Sequence, residues 1–330
     1  MSVHNDRRGA IKKLKLLIYS PKISVDSFRS KIEETFACPI LPNHVECAEN
    51  NYGGVICDVL SPEIYSSRRI VIYIHGGSFV GGSRASWRGF CARLAAKSFS
   101  RVVVPEFRLA PTFPYPAAIE DVQTVFRAVF TELQVACTLD ESVSSGPVKP
   151  EIVIATDSSG ASIASALLFN MRERYRSSLT HLVLLSPWLN FTQDENHKKR
   201  SDELISSETL SECGTAYTYA ANLQNHLVSP LLAEAEMLKG FPPVYIQVGE
   251  KELLLEDYKK FAELLTQAKI SCKLDVWKNM PSLFQFSDES LWETHLALEK
   301  IGKLISGSTS ETGVHVENQP MLESGIKAEA

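Results

Sequence analysis

Glu151–Leu168 reads E-I-V-I-A-T-D-S-S-G-A-S-I-A-S-A-L-L. Ile152–Ala155 is a short run of β-branched and small apolar residues, the pattern of a strand buried on both faces. From Ser162 onward Ala, Ile and Leu dominate without Gly or Pro, which predicts a helix. Thr156-Asp157-Ser158-Ser159-Gly160 lies between them. A strand that turns sharply into a helix at a serine is the context of the nucleophile elbow, G-x-S-x-G. Such a turn lifts the hydroxyl to the helix N-terminus, where free N–H groups and the helix dipole favour negative charge. Gly160 keeps the second glycine of the motif, and Thr156 replaces the first. A β-branched residue there is expected to crowd the turn. The same residues also read as a serine-rich helix start with Asp157 or Ser158 as N-cap.

Upstream, Arg69–Ser83 reads R-I-V-I-Y-I-H-G-G-S-F-V-G-G-S. Ile70–Ile74 is a second buried strand, and it runs into His75-Gly76-Gly77-Ser78. Lipases and esterases carry an HGGG-type loop after a strand, with its backbone N–H groups aimed at the reacting oxyanion. A phosphate-binding loop is the rival reading, but neither G-x-G-x-x-G nor G-K-[ST] follows. Between the two stretches, Val102–Val122 reads V-V-V-P-E-F-R-L-A-P-T-F-P-Y-P-A-A-I-E-D-V.

In this order the three stretches resemble the hormone-sensitive-lipase-like branch of the α/β-hydrolases, carboxylesterases and lipases that write H-G-G-G, Y-R-L-A-P-E-x-P-x-P-A and G-D-S-A-G-G. The resemblance continues through Leu184–Trp188 (L-L-S-P-W), Leu227–Leu231 (L-V-S-P-L) and Phe241–Asp257 (F-P-P-V-Y-I-Q-V-G-E-K-E-L-L-L-E-D), and covers about Val45 to Ile305. It implies an α/β fold with a mostly parallel sheet of about eight strands, helices on both faces and a helical lid. It also implies N-terminal lid helices in 1–43, a hydrolase core in 44–305 with a lid insertion at about 190–225, and a tail at 306–330.

Composition agrees with a soluble globular protein: 330 residues, 44% hydrophobic and 22% charged. The net charge of −5 gives no broad basic surface for nucleic acid. Seven cysteines without paired spacing imply neither a disulfide framework nor a zinc site. The first residues, M-S-V-H-N-D-R-R-G-A, lack an apolar signal core, and no apolar run is long enough for a transmembrane span. A cytoplasmic location is the default expectation, with no cofactor, no metal, and the oligomeric state open. Arg7–Ile18 reads as a basic amphipathic helix, suited either to weak contact with a membrane surface or, by resemblance, to a lid.

The rest of the chain alternates helix and strand signals. Helices are expected at Val25–Phe36, Trp87–Phe99, Ala117 to about Leu133, from the elbow to about Tyr175, Leu254–Gln267 and Leu291–Ile305. Strands are expected at Arg101–Pro105, Leu182–Leu185, Val244–Val248 and Cys272–Trp277, with a hairpin around Asn50–Gly53. Cys137–Pro150 reads as a surface loop. Asn190–Lys199, with Ser206–Asn222, reads as the second part of the lid. From Ser306 the chain is polar without periodicity, as in a disordered tail.

By resemblance Ser158 is the nucleophile, and the oxyanion hole is drawn from Gly76, Gly77, Ser78 and Ser159. Phe79, Val80, Trp188 and Leu189 flank these loops as walls of an apolar pocket. His75 would hold the oxyanion loop. The acid falls on Glu252 by motif register, with Glu250, Glu256 and Asp257 as neighbours that composition does not separate from it. The base belongs on the turn after the last strand, where the family writes M-P-H-x-F. This chain has Met280-Pro281-Ser282-Leu283-Phe284, so Ser282 occupies the histidine position. A neutral hydroxyl cannot do the work of an imidazole near pH 7. His295 shares a helical stripe with Leu291, Leu298 and Ile305, which suits packing. His181, His197 and His226 precede the acid turn and reach the site only through the lid.

The sequence therefore points to an esterase-like protein with two readings. In the first it is catalytically impaired and binds an ester- or carboxylic-acid-like small molecule, in which it resembles the plant gibberellin receptors of the same branch. In the second it is an active serine esterase whose base comes from elsewhere, His226 or His295. A protein-interaction module is a remote third reading.

Overall fold

The computed structural model describes residues 2–141, 149–192, 197, 200–287 and 291–307, with side chains described from Gly9 and, in the first of these segments beyond it, as far as residue 139. Eight strands form one sheet in the order β1-β2-β4-β3-β5-β6-β7-β8. They are β1 (Val45–Tyr52), β2 (Val55–Pro62), β3 (Arg69–Ile74), β4 (Arg101–Pro105), β5 (Glu151–Asp157), β6 (Leu179–Leu185), β7 (Val244–Gly249) and β8 (Cys272–Trp277). β1 and β2 pair antiparallel, as do β2 and β4. Every later pair is parallel.

The helices are α1 (Ser2–Lys15), α2 (Val25–Phe36), α3 (Arg84–Ser98), α4 (Ala117–Glu141), α5 (Gly160–Phe169), α6 (Glu173–Arg176), α7 (Ser207–Tyr217), α8 (Leu255–Gln267) and α9 (Trp292–Ser306). Parallel strands need crossovers, and helices supply them here, covering both faces of the sheet. Continuous apolar runs such as Ile70–Ile74 and Ile152–Ala155 follow from that double covering; each of these residues is buried.

The register aligns the carboxyl ends of the central strands. Ile74 of β3 pairs with Thr156 of β5, and Asp157 of β5 pairs with Leu185 of β6. The loops after β3, β5 and β6 therefore emerge side by side, where open parallel sheets bind ligands.

Some expected boundaries move. The hairpin turns at Gly53-Gly54, beyond the asparagine pair, because both glycines take positive φ (67° and 100°). α4 runs through Cys137 instead of ending in a loop there: Val129, Leu133 and Cys137 lie four apart and are all buried. The elbow helix stops at Phe169, with Asn170 as its cap, and α6 is a separate turn. β6 begins at Leu179, opposite Ile152. Of the expected tail, α9 takes Ser306, Gly307 caps it at φ 76°, and 308–330 lie outside the described residues. Most of the polar stretch expected at 190–199 also lies outside them.

The basic amphipathic stretch places its apolar side in the core. Leu14, Leu17 and Ile18 are buried, while Ile11 and Leu16 are half-buried.

Candidate active site

Ser158 sits between β5 and α5 with φ 47°, in the left-handed region that a non-glycine residue enters at a cost. Its N–H donates to Leu185 O (3.1 Å), and its carbonyl accepts from Trp188 N (2.9 Å). The turn is thus tied to the end of β6. Its hydroxyl is buried and has no hydrogen-bond partner.

Gly160 is required by close approach. A Cβ there would lie 2.4 Å from Ile74 O, 2.4 Å from Thr156 Oγ1 and 2.7 Å from His75 O. This revises the expectation for Thr156. Its side chain fits because the residue facing it has none, so the elbow accepts a β-branched residue in place of the first glycine.

Asp157 braces the elbow against the preceding loop. Its Oδ1 accepts from Gly76 N (3.0 Å), Tyr73 Oη (3.0 Å) and Trp87 Nε1 (2.8 Å). Full burial nevertheless pushes its carboxyl up to about 7. Gly76 comes so near that a Cβ on it would be 2.9 Å from Ser158 Cβ.

The loop after β3 is wound tightly. Gly77, Ser78 and Phe79 have φ of 91°, 60° and 65°. Gly77 carries the strictest demand, since a Cβ there would meet Gly81 O at 2.2 Å. Ser78 occupies a glycine position of the resembled motif, and its Oγ accepts from Tyr19 N (3.0 Å). Phe79 N donates to Ser159 Oγ (3.0 Å), joining the loop to the elbow. Among the described residues, the amides of Gly77, Ser78 and Ser159 donate to no protein acceptor. The amide of Gly76 is committed to Asp157, so Gly76 contributes close approach and not a free donor.

His75 lies behind the loop, stacked on Phe107 (4.3 Å) and tilted against Trp87 (5.0 Å). Burial lowers its pKa to about 4, leaving it neutral. Its Nδ1 donates to Gly76 O at 2.9 Å, which places the ring proton there. His75 thus braces the loop through Gly76, Phe107 and Trp87.

Two covers lie over the loop. From the N-terminal side, Arg29 of α2 donates to Val80 O (2.7 Å) and Ala110 O (3.0 Å), and Phe28 packs against Gly81. From the other side, α7 brings Tyr217 onto Phe79, with ring centroids 3.9 Å apart and planes within 3°. Phe79, Val80, Trp188 and Leu189 are all buried beneath these covers.

Glu252 is fully buried on the turn after β7. Its Oε1 accepts from Ser186 Oγ (2.8 Å) and Gly249 N (2.5 Å), and its Oε2 from Tyr258 Oη (2.6 Å). Desolvation outweighs these bonds and pushes its carboxyl up to about 8. Among its neighbours, Glu250 accepts from Asn279 N, Glu256 pairs with Lys259, and Asp257 pairs with His197.

Ser282 lies on the loop after β8, fully buried, and its hydroxyl donates to Asp202 Oδ2 (2.6 Å). The described contacts thus join Ser282 to Asp202 and leave Glu252 with Ser186, Gly249 and Tyr258. His226, His295 and His197 have partners of their own. His226 packs edge-on against Phe169, at the far end of α5 from Ser158. His295 stacks on Trp292 and faces Glu299 at 3.5 Å. His197 Nε2 lies 2.8 Å from Asp257 Oδ2, both buried. His181 sits on β6.

Sequence reasoning passed over Asp202, Ser186 and Tyr217. Ser186 was within reach, since it opens the S-P-W motif at the end of β6. Asp202 and Tyr217 lie in a polar insertion whose pattern carries no signal of what it touches.

Comparison with known proteins agrees with this architecture. The profile of the alpha/beta hydrolase fold family matches residues 71–286. An esterase of Acinetobacter venetianus is 30% identical over 244 residues, 72% of this chain and 75% of that one. A putative acetyl-hydrolase of Mycobacterium tuberculosis is 24% identical, covering 91% of this chain and 93% of its own length. The crystal structure of an esterase from the bacterial hormone-sensitive lipase family superposes with a TM-score of 0.78 at 25% identity, over 93% of this chain and 99% of that chain.

Proposed function

The chain belongs to the alpha/beta hydrolase fold family, in its hormone-sensitive-lipase-like branch, and from that premise we propose that it binds an ester- or carboxylic-acid-like small molecule at Ser158 without rapid turnover. The observation that carries this reading is the isolation of the Ser158 hydroxyl, buried and without a hydrogen-bond partner. A serine hydrolase needs a base in contact with its nucleophile and an acid behind the base. The site retains the elbow, three amides suited to an oxyanion, and a buried acid position at Glu252. At the base position it has Ser282, which is bound to Asp202.

The magnitude is large. In subtilisin, loss of the triad histidine costs roughly 10⁶ in kcat, while about 10³–10⁴ over water survives from binding and the oxyanion hole. In this reading 1–43 and the insertion at about 190–225 act as lids, and Phe79, Val80, Trp188 and Leu189 form the apolar wall. The alternative, an active esterase using His226 or His295, gains no support from the contacts of those rings, which lie with Phe169 and with Trp292 and Glu299. No helix of the described residues is long and apolar enough to cross a membrane.

Thermal shift against a panel of medium-chain acids and their ethyl esters tests the binding. Micromolar stabilisation by some members is expected. No shift across the panel would overturn the reading.

A further inference from the structure

The residues packed on the elbow carry polar atoms that the triad scheme does not use. A circuit of contacts begins and ends on the elbow. Ser159 Oγ accepts from Phe79 N (3.0 Å), and the Phe79 ring stacks on Tyr217 (3.9 Å) and leans on Phe191 (5.1 Å). Phe191 meets Trp188 edge-on (6.2 Å), and Trp188 N returns to Ser158 O (2.9 Å). Three side-chain polar atoms of the residues on this circuit are buried without a partner: Ser158 Oγ, Tyr217 Oη and Trp188 Nε1. Tyr217 is 1% exposed and Trp188 0%. A buried donor left unpaired is costly, and protein interiors almost always satisfy such groups. Phenylalanine would fill the Tyr217 position without that cost.

We propose that Tyr217 Oη and Trp188 Nε1 are specificity-determining donors that recognise a second oxygen of the ligand, a ketone or ether carried beyond the carbonyl held at Ser158. The inference rests on the reading of this circuit as the ligand site. Both groups suit the task. Indole N–H is a donor only, so the matching ligand atom is an acceptor. Burial, with the nearby Tyr115 hydroxyl adding to it, pushes the Tyr217 phenol well above its ordinary value, so it keeps its proton. A pocket that must satisfy buried donors rejects an analogue lacking the acceptor more strongly than one that differs by a methyl group. The ligand class is therefore an oxo- or alkoxy-substituted short-chain ester or acid, in preference to a plain hydrocarbon chain.

The test uses the full chain and three matched pairs of probes. Ethyl 3-, 4- and 5-oxohexanoate are compared with ethyl 3-, 4- and 5-methylhexanoate by calorimetry. At one position at least, the oxo ester is expected to bind about tenfold more tightly than its methyl partner. Tyr217→Phe should reduce that preference to within about twofold, chiefly by weakening the oxo ester, and melt at or above the wild type, because it removes an unpaired hydroxyl. Trp188→Phe should also reduce the preference. Methyl esters that bind without any oxo preference would overturn this inference and leave the ligand-site reading standing. Failure of both series to bind would overturn both. A Tyr217→Phe protein that keeps the full preference, or melts lower, would show that the hydroxyl serves the fold and not the ligand.

Discussion

The Ser282 hydroxyl donates to Asp202 Oδ2 at 2.6 Å, so the loop after β8, where we place the base position, is joined to a carboxylate of the segment between β6 and α7. Asp202 also accepts from Leu253 N (3.0 Å) beside Glu252 and from Leu204 N (2.8 Å) in its own turn. One side chain thus fastens that segment to the acid turn and to the loop after β8. Asp202→Ala should lower stability by about 2–4 kcal/mol, since three backbone donors, Leu204, Ile205 and Leu253, and one hydroxyl lose their acceptor. Ser282→Ala should cost only about 1 kcal/mol, because Asp202 keeps its backbone partners. Chemical denaturation measures both, and equal losses would contradict this picture of the fastening.

Gly160→Ala should be among the most damaging single-methyl additions in the chain. The added carbon meets Ile74 O, His75 O and Thr156 Oγ1 inside 3 Å. A cost of about 3 kcal/mol or more is expected. Adding Thr156→Gly should recover only part of it, because two of the three obstructing atoms are backbone. Full recovery in the double variant, read from melting curves, would mean that the threonine alone sets the constraint.

Glu252 gives stability a pH dependence of definite sign. Its folded pKa is pushed up to about 8 from an ordinary carboxylate value, and that of Asp157 to about 7. Between those ordinary values and the raised ones, the folded chain binds more protons than the unfolded chain. The stability these two groups contribute therefore falls as pH rises through that window, while His75, lowered to about 4, gives the opposite slope below its ordinary 6.5, one group against two. The wild type should melt lower at pH 8 than at pH 5. Glu252→Gln should flatten the part of the slope nearest pH 8, and Asp157→Asn the part below it. A melting temperature that rises from pH 5 to pH 8 in wild type would contradict the assignment.

Much of the fold was legible because its signals are local. Ile70–Ile74 and Ile152–Ala155 carry the pattern of doubly covered strands, and the glycines at 76, 77 and 160 stand where a side chain would collide with neighbouring chain. Val25–Phe36 and Cys272–Trp277 keep their expected ends. The errors fell where the deciding contact is remote. Thr156 read as a defect because Gly160 opposite it is invisible to periodicity. Cys137 read as loop because the stretch from it to Pro150 contains Ser, Gly and Pro, although the i+4 ladder through Val129 and Leu133 carries the helix on. Asp202 and Tyr217 were out of reach for the same reason, since each owes its place to a residue far away in the chain.

Whether the Ser158 site lacks a base is read from the turnover of p-nitrophenyl butyrate by wild type, Ser158→Ala, Ser282→His and Ser282→His with Asp202→Asn. Wild type should be within a few-fold of Ser158→Ala. Ser282→His should exceed wild type by at least ~10²-fold, the lower end of what a positioned general base contributes. Asp202→Asn should remove much of that gain, because Asp202 is the carboxylate that position 282 faces. Brisk wild-type hydrolysis that Ser158→Ala abolishes and Ser282→His leaves unchanged would contradict the proposed impairment, since a working base would then lie elsewhere.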